Sequence, residues 1–371
     1  MRMLPRKRAM SSTGSSRRRS SPGVRKESIQ MRVAMYYNNH DVRLEEMPRP
    51  EAGPGEILVK VVSSGICGSD VMEWYRIKRA PLVLGHEIAG DIVQVGKGVK
   101  KYKLGQRVFV SHHVPCMECR YCKSGHESTC DTLRTTNFYP GGFAEFVRVP
   151  EINVEKGVYL LPRELSYDDG AFIEPLACVV RGFRLGRFEP GDAVLVLGSG
   201  IAGLLNIKLA KALGAGKIFA TDISKSRMDS ATRMGADKAF DAAQDVPRLV
   251  RDSNGGRAAD FVIVCAGAVS AAEQAFKCVD RGGRILIFAP PTPGTMVPVP
   301  FGDLWKDEVT ITSTYAGSPK DIMEAIEHLK TRTVAVSDMI THRFGLADAG
   351  KGFALVARAE ESIKVILEPQ K

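Results

Sequence analysis

The chain has 371 residues, 44% hydrophobic and 25% charged, with a formal net charge of +10. Single cores stop growing near about 250–300 residues, so the length predicts two domains, and the ordinary composition excludes a fibrous or low-complexity protein. No apolar run approaches the ~20 residues that cross a bilayer, and eight cysteines, four in one run and four scattered, argue for a reducing, cytoplasmic compartment over a disulfide framework.

The positive charge is local. Residues 1–30 hold nine Lys/Arg against the single acid Glu27, which leaves +2 for the rest of the chain. This Ser- and Arg-rich stretch has too few apolar residues to offset the entropy of ordering, and it predicts a disordered basic N-terminal extension. It reads as an upstream start with Met31 the true one, as an appended tail, or as a transit-like leader. A nucleic-acid-binding module built from this tail and the cysteine run is the alternative from a different class. The absence of aromatic–basic interleaving after residue 30 argues against it.

From Arg32 to about Pro150, short β segments are broken by glycines: Val33–Tyr36, Glu56–Ser63, Ile88–Val95 and Arg107–Val110. Gly53-Pro54-Gly55 and Gly96-Lys97-Gly98 are turn signals, so this part predicts an irregular antiparallel β domain. Near residue 168 the pattern becomes helical, with Asp168 or Asp169 as cap for a run through Ala171, Ile173, Leu176 and Val180. From Asp192 onward, apolar strands alternate with amphipathic helices: 193–197, 218–221, 238–240, 260–265, 284–289 and 309–313. Six such strands are the pattern of a doubly wound parallel sheet. A helix over 321–329 and a β stretch over 363–367 close the chain.

Two sets of residues carry chemistry by spacing alone. Cys116-x2-Cys119-x2-Cys122-x7-Cys130 supplies four thiolates in one short segment, the donor set of a closed tetrahedral structural zinc. Residues this close rarely satisfy disulfide geometry pairwise. The ferredoxin run differs too, having three residues before its last cysteine and a proline after it. Gly198-Ser199-Gly200-Ile201-Ala202-Gly203 follows the strand 194–197 and opens a helix over 204–213. That context makes it a dinucleotide turn: Gly198 for the bend, Gly200 for approach of the pyrophosphate, Gly203 for close packing. Asp222, nineteen residues past Gly203, is placed to take the ribose hydroxyls and to repel a 2′-phosphate, which favours NAD over NADP. Lys225 and Arg227 nearby pull the other way.

A second set of metal ligands is suggested by Cys67 in a glycine-flanked loop and by His86 after Gly85. Glu174, Glu87 and Cys178 compete for the third position, and spacing does not choose among them. Gly65-Ile66-Cys67-Gly68-Ser69-Asp70, Gly85-His86-Glu87, the cysteine run, Gly142-Phe143-Ala144-Glu145, Glu174-Pro175-Leu176-Ala177 and the glycine turn occur in one order over nearly the whole chain. In these residues the chain resembles the zinc-dependent medium-chain dehydrogenases/reductases, the superfamily of alcohol, sorbitol and threonine dehydrogenases. The glutamate at 174 resembles the sorbitol and threonine branch, since liver-type enzymes have a cysteine there.

The resemblance implies an α/β chain: a GroES-like irregular β-barrel catalytic domain (31–182 and 318–371) and a Rossmann NAD-binding domain (183–317). It implies a catalytic zinc on Cys67, His86 and a carboxylate from Glu87 or Glu174, with Asp70 orienting His86 and Ser69 relaying the alcohol proton. Zinc would polarise the alcohol oxygen while hydride passes to a nicotinamide positioned by Cys265-Ala266-Gly267 and Phe288-Ala289-Pro290. Lys364 falls where relatives often place a basic residue near the pyrophosphate. Met72 stands where several relatives carry a relay histidine, and Thr314 where mammalian-type sorbitol dehydrogenases place an arginine. Trp74, Tyr75 and Tyr315 are candidates for lining the substrate pocket. The expected activity is NAD-dependent oxidation of a secondary alcohol or polyol, with L-threonine or another 3-hydroxy amino acid as the alternative. The expected state is a homodimer or homotetramer with no nucleic-acid or membrane partner.

Overall fold

The computed structural model describes residues 29–359 and 362–371. Most of the basic extension thus lies outside the described residues, but Ile29 and Gln30 do not: β1 (Gln30–Asn38) already pairs Gln30 with Pro48 of β2 (Asp41–Pro48). Among the described residues no helix is long and apolar enough to cross a membrane.

The first half is built around β3 (Ile57–Gly65), whose alternating and then continuous burial places it at the centre of a sheet. It pairs antiparallel with β5 (Glu87–Val95), which pairs with β6 (Arg107–Ser111). β4 (Leu82–Val83) joins β1, while β7 (Phe146–Val149) pairs with β3, and β8 (Val158–Leu160) with β6. Cys67 therefore leaves the end of β3, and His86 precedes β5 at the register where Gly65 opposes Glu87. That opposition works only with glycine, because a Cβ on Gly65 would run into Glu87 Oε2 and the Lys364 side chain.

The helical turn near 168 differs from the sequence expectation. Ser166 is the cap, accepting from Asp169 N in a reciprocal capping box, and the short helix Tyr167–Ala171 ends before a second one, Ile173–Leu185. Ser166 wins because its side chain is the one that reaches an unpaired N–H three residues on. Asp168 is instead turned out to Ser63 and Arg343.

The second half forms one parallel sheet. Its strands are β9 (Ala193–Leu197), β10 (Lys217–Asp222), β11 (Lys238–Asp241), β12 (Ala259–Val264), β13 (Val279–Ile287) and β14 (Thr310–Ser313), in the order β11-β10-β9-β12-β13-β14. β9 is buried at every position, as a strand covered on both faces must be. The chain then returns: β15 (Ile340–Phe344) pairs with β16 (Lys364–Leu367), and β16 adds antiparallel to β3.

One core joins the two halves. Leu176, Val179, Val180 and Phe183 on the helix Ile173–Leu185 pack with Val194, Val196, Ile263 and Leu286 of the parallel sheet, and with Ala89 and Phe109 of the antiparallel one. A Cβ on Gly182 would meet Leu286 at 2.9 Å, and one on Gly317, just past β14, would meet Ala177 at 2.8 Å. Glu174, at the start of this helix, is thereby held near the C-terminal ends of the parallel strands, where open α/β sheets bind ligands.

Candidate metal and cofactor sites

In the lobe, Cys116, Cys119, Cys122 and Cys130 gather their sulfurs within 4.8 Å of one another. Individual separations are 3.6 Å (Cys119 to Cys122), 3.6 Å (Cys116 to Cys130) and 4.0 Å (Cys116 to Cys122), and none of the four is in a disulfide. A tetrahedron with Zn–S of about 2.3 Å has edges of about 3.8 Å, so the thiols fit zinc. Short helices and turns make the cage: the N–H groups of Cys119 and Glu118 point at Cys116 Sγ (3.3 and 3.4 Å). Burial pushes the Cys122 thiol up to about 12, while N–H donors from Cys116 and Leu133 outweigh burial at Cys130 and bring it down to about 6. A zinc ion bound at the centre would require these thiols as thiolates.

The lobe is fastened to the Glu174 helix by a buried arginine. Arg181, 1% exposed, donates to Glu127 Oε2 (2.9 Å), Gly125 O (3.3 Å) and Asp321 Oδ2 (3.4 Å), and Arg184 forks onto the same aspartate. Removing one partner of such a pair costs about 3–5 kcal/mol because the other charge stays buried.

Cys67, His86 and Glu87 offer sulfur, nitrogen and oxygen within 4.8 Å of one another. Asp70, fully buried, accepts from Cys67 N (3.0 Å) and faces His86 Nδ1 (3.4 Å), which leaves the opposite ring nitrogen for a metal. Burial raises the Asp70 carboxyl, but His86 and Arg76 overcome it and hold the group below the usual carboxylate range. Burial lowers the His86 imidazole, yet Asp70 and the Cys67 sulfur raise it well above its ordinary value. The surroundings therefore favour positive charge at this point. Glu174 bonds Cys178 Sγ (3.6 Å), and burial, reinforced by Glu87, raises its carboxyl. The Cys67 thiol, His86 imidazole and Glu87 carboxylate fit a divalent cation with nitrogen, oxygen and sulfur ligands, while Glu174 is near enough to feel Glu87 and His86 but is not among the three gathered donors.

Lys364, expected near the pyrophosphate, is 1% exposed, ion-paired to Glu87 Oε2, donates to Ile66 O (3.3 Å), and lies 5.6 Å from the Phe172 ring centroid. β16 pairs with the end of β3, so position 364 is carried to the Glu87 side, and a buried carboxylate draws the ammonium in.

The sequence reading passed over two groups. Arg76 donates from Nε to Ser69 O (2.9 Å) and from Nη2 to Ser69 Oγ (3.1 Å). Its one clue was position: a helical turn after Met72, whose carbonyl Arg76 N bonds. The His112 and His113 rings lie 3.8 Å apart, tilted by 34°, His112 lies 4.8 Å from His86, and His113 lies 6.2 Å from Tyr315. Two adjacent histidines just past a strand gave no metal spacing. Burial, with His86 and Arg76 adding, lowers His113 to about 4, and His112 is also well below its ordinary value. Both rings are neutral at pH 7. Trp74, Tyr75 and Tyr315 are each partly exposed, with Trp74 against Tyr75 and Tyr315 beside the histidines.

The glycine turn lies in the crevice between β9 and β12, where strand order reverses. Gly198 has φ +98°, and a Cβ there would meet Ala266 N at 3.2 Å. A Cβ on Gly203 would collide with Gly198 O, whereas beside Gly200 the nearest atom is Arg227 Nη1 at 3.9 Å. The open space beside Gly200, at the start of the helix Ile201–Ala212, has room for a pyrophosphate against unpaired N–H groups. Asp222 ends β10 and accepts from Ser199 N (2.8 Å) and Ser224 N (2.9 Å). Each carboxylate oxygen has two lone pairs, so ribose hydroxyls still find acceptors. Cys265 is drawn into the core, its sulfur 3.5 Å from Asn206 Nδ2, which leaves the backbone at the strand end as its contribution to the crevice.

A dinucleotide crevice on one sheet and a mixed-donor metal site on the other, joined through one core, define a metal-dependent pyridine-nucleotide oxidoreductase. The alcohol dehydrogenase GroES-like domain matches residues 53–162, and the zinc-binding dehydrogenase family matches residues 202–331. Mus musculus sorbitol dehydrogenase is 33% identical over 340 residues, covering 88% of this chain and 93% of the relative. The crystal structure of 2R,3R-butanediol dehydrogenase from Bacillus subtilis is 27% identical with a TM-score of 0.80, covering 91% and 99%. A zinc-binding dehydrogenase of Sinorhizobium meliloti 1021 bound to NADP is also 27% identical, with a TM-score of 0.83 over 92% and 100%. The chain belongs to the zinc-dependent medium-chain alcohol dehydrogenase family, in its sorbitol dehydrogenase branch, and has the GroES-like and Rossmann folds of that family.

Proposed function

We propose that this protein oxidises a secondary alcohol or polyol to the ketone, with hydride transfer to NAD. The observation that carries the reading is the convergence of the Cys67, His86 and Glu87 donor atoms beside the Glu174 helix, whose buried face packs on the parallel sheet that bears the glycine turn. When bound, zinc supplies Lewis-acid polarisation of the alcohol oxygen, and the nicotinamide supplies the hydride acceptor. Cys67, His86 and one of the two glutamates would hold the metal, and Lys364 on Glu87 Oε2 favours Glu174 as the third ligand. Asp70 orients His86, and Ser69, two residues past Cys67, receives the alcohol proton. Gly198, Gly200, Ile201 and Gly203 shape the pyrophosphate cradle, and Asp222 receives the adenosine ribose. Tyr75, Tyr315 and His113 border the substrate side, where neutral rings suit an uncharged polyol.

Residues 31–182 with 318–371 form the catalytic unit in this reading, and 183–317 the cofactor unit. Four Cys sulfurs lying together yet unpaired support a reducing, cytoplasmic setting. Among the described residues the edge strand β14 has a free side, and Phe301 and Trp305, which precede it in sequence, are 72% and 77% exposed, which supports a homodimer or homotetramer closed by a second copy. The test is purified, zinc-loaded protein against polyols, sugars, simple alcohols and 3-hydroxy amino acids, with NAD and NADP compared by reduced-cofactor absorbance. NAD-dependent oxidation of sorbitol, xylitol or butane-2,3-diol supports the reading. Activity confined to amino acids, or to NADP, overturns it.

A further inference from the structure

Ser69 is gripped at both ends by one guanidinium. Arg76 Nε donates to its carbonyl (2.9 Å) and Nη2 to its hydroxyl oxygen (3.1 Å), with the arginine side chain only 15% exposed and 4.6 Å from the Tyr75 ring centroid. A serine hydroxyl has one proton and two lone pairs. With one lone pair filled by a charge-assisted bond, what remains is one acceptor position and one O–H, a single-file path for a proton. The guanidinium stays charged in proteins and is no base. Met72, one turn earlier, offers no proton acceptor either.

We propose that Arg76 is a positioning residue for the proton-transfer half of the reaction, acting through Ser69. It sets Ser69 Oγ in its accepting-and-donating sense and places a fixed positive charge beside the alcohol, favouring its deprotonation. As the substrate O–H bond breaks, its proton bonds to Ser69 Oγ and the proton already on Ser69 passes to water. The electron pair left on oxygen closes the C=O bond as hydride leaves the carbon for NAD. The inference rests on the reading of Ser69 as the relay. The competing route runs through Asp70, 3.5 Å from Arg76 Nη2 and in contact with His86 and Cys67.

The test is a double-mutant cycle in the zinc-loaded enzyme, with the alcohol most active in the screen above. It uses Arg76→Ala, Ser69→Ala and the double variant, together with spectra of cobalt-substituted protein. Arg76→Ala should lower kcat by about 10²-fold with KM nearly unchanged, as loss of one preorganised donor does. Guanidinium chloride at sub-denaturing concentration should restore part of that rate, and the substitution should add almost nothing to Ser69→Ala. The cobalt spectrum should stay as in the wild type. Losses that multiply, or a shifted cobalt spectrum, overturn the inference and place the effect on Asp70. A wild-type rate in Ser69→Ala sinks the relay reading itself, and this inference with it. If Arg76→Ala does not fold, Arg76→Lys decides: it keeps the charge but not the two-point grip, and an intermediate kcat is expected, with a wild-type kcat overturning the proposal.

Discussion

The two clusters of metal-binding groups differ in how they are made. The lobe draws all four sulfurs from Cys116 to Cys130, and its cage is closed by turns within that segment. The other site takes Cys67 from the end of β3, His86 and Glu87 from the start of β5, and Glu174 from a helix about ninety residues on. Four identical donors leave no position for a substrate; Cys67, His86 and one of the two glutamates, three mixed donors, leave one. A local cage serves stability, whereas a site assembled from distant elements requires the fold to be complete before it exists.

The largest effect should follow Cys67→Ser. Turnover should fall by about 10³-fold or more, because Lewis-acid stabilisation is worth several kcal/mol. Elemental analysis should show loss of the catalytic zinc with the lobe's zinc retained, and circular dichroism should be unchanged. Cys119→Ser should do the reverse. Stability should drop by on the order of 3 kcal/mol in urea titration, while the rate per folded molecule changes little. Equal loss of chemistry in folded Cys119→Ser protein would erase the contrast between the sites.

A third pair of substitutions sharpens the contrast inside the catalytic site. Glu174→Ala should reduce kcat or zinc affinity by about 10–10²-fold, as loss of a ligand or its close support does. Glu87→Ala should cost stability first, because it leaves Lys364 buried without its partner, and adding Lys364→Met should recover much of the loss. If Glu174→Ala leaves both rate and zinc content untouched, Glu87 is the third ligand.

The same contrast governs what could be read from the sequence. The lobe and the glycine turn are local, so spacing and a strand before the turn sufficed for both. All six parallel strands were found within a few residues except at β13, which begins at Val279 and not at 284. Its first residues include Asp280, Arg281, Gly282 and Gly283, which carry no strand pattern. The pairing of Lys364 with Glu87 was not legible, because the two lie 277 residues apart. Arg76 and the His112–His113 pair were missed for a related reason. Their meaning comes from what other elements bring against them, and neither periodicity nor spacing records that.

The smallest effect concerns those histidines. His113 has a folded value of about 4 against an ordinary 6.5, because burial, His86 and Arg76 all oppose its charge. The unfolded chain takes up a proton there as pH falls below about 6.5, and the folded chain does not until about 4. Stability is therefore fully present above about 6.5 and declines as pH falls through that window. Between pH 7 and pH 5 the loss from His113 should be about 2 kcal/mol, an upper value since the ring is partly exposed. His112, whose ring lies 3.8 Å from it, adds in the same direction. Urea unfolding of zinc-saturated protein at pH 7 and pH 5 should show this fall in the wild type and a smaller one in His113→Gln. An identical fall in both would mean that the acid sensitivity belongs to the metal ligands and not to the neutral rings beside them.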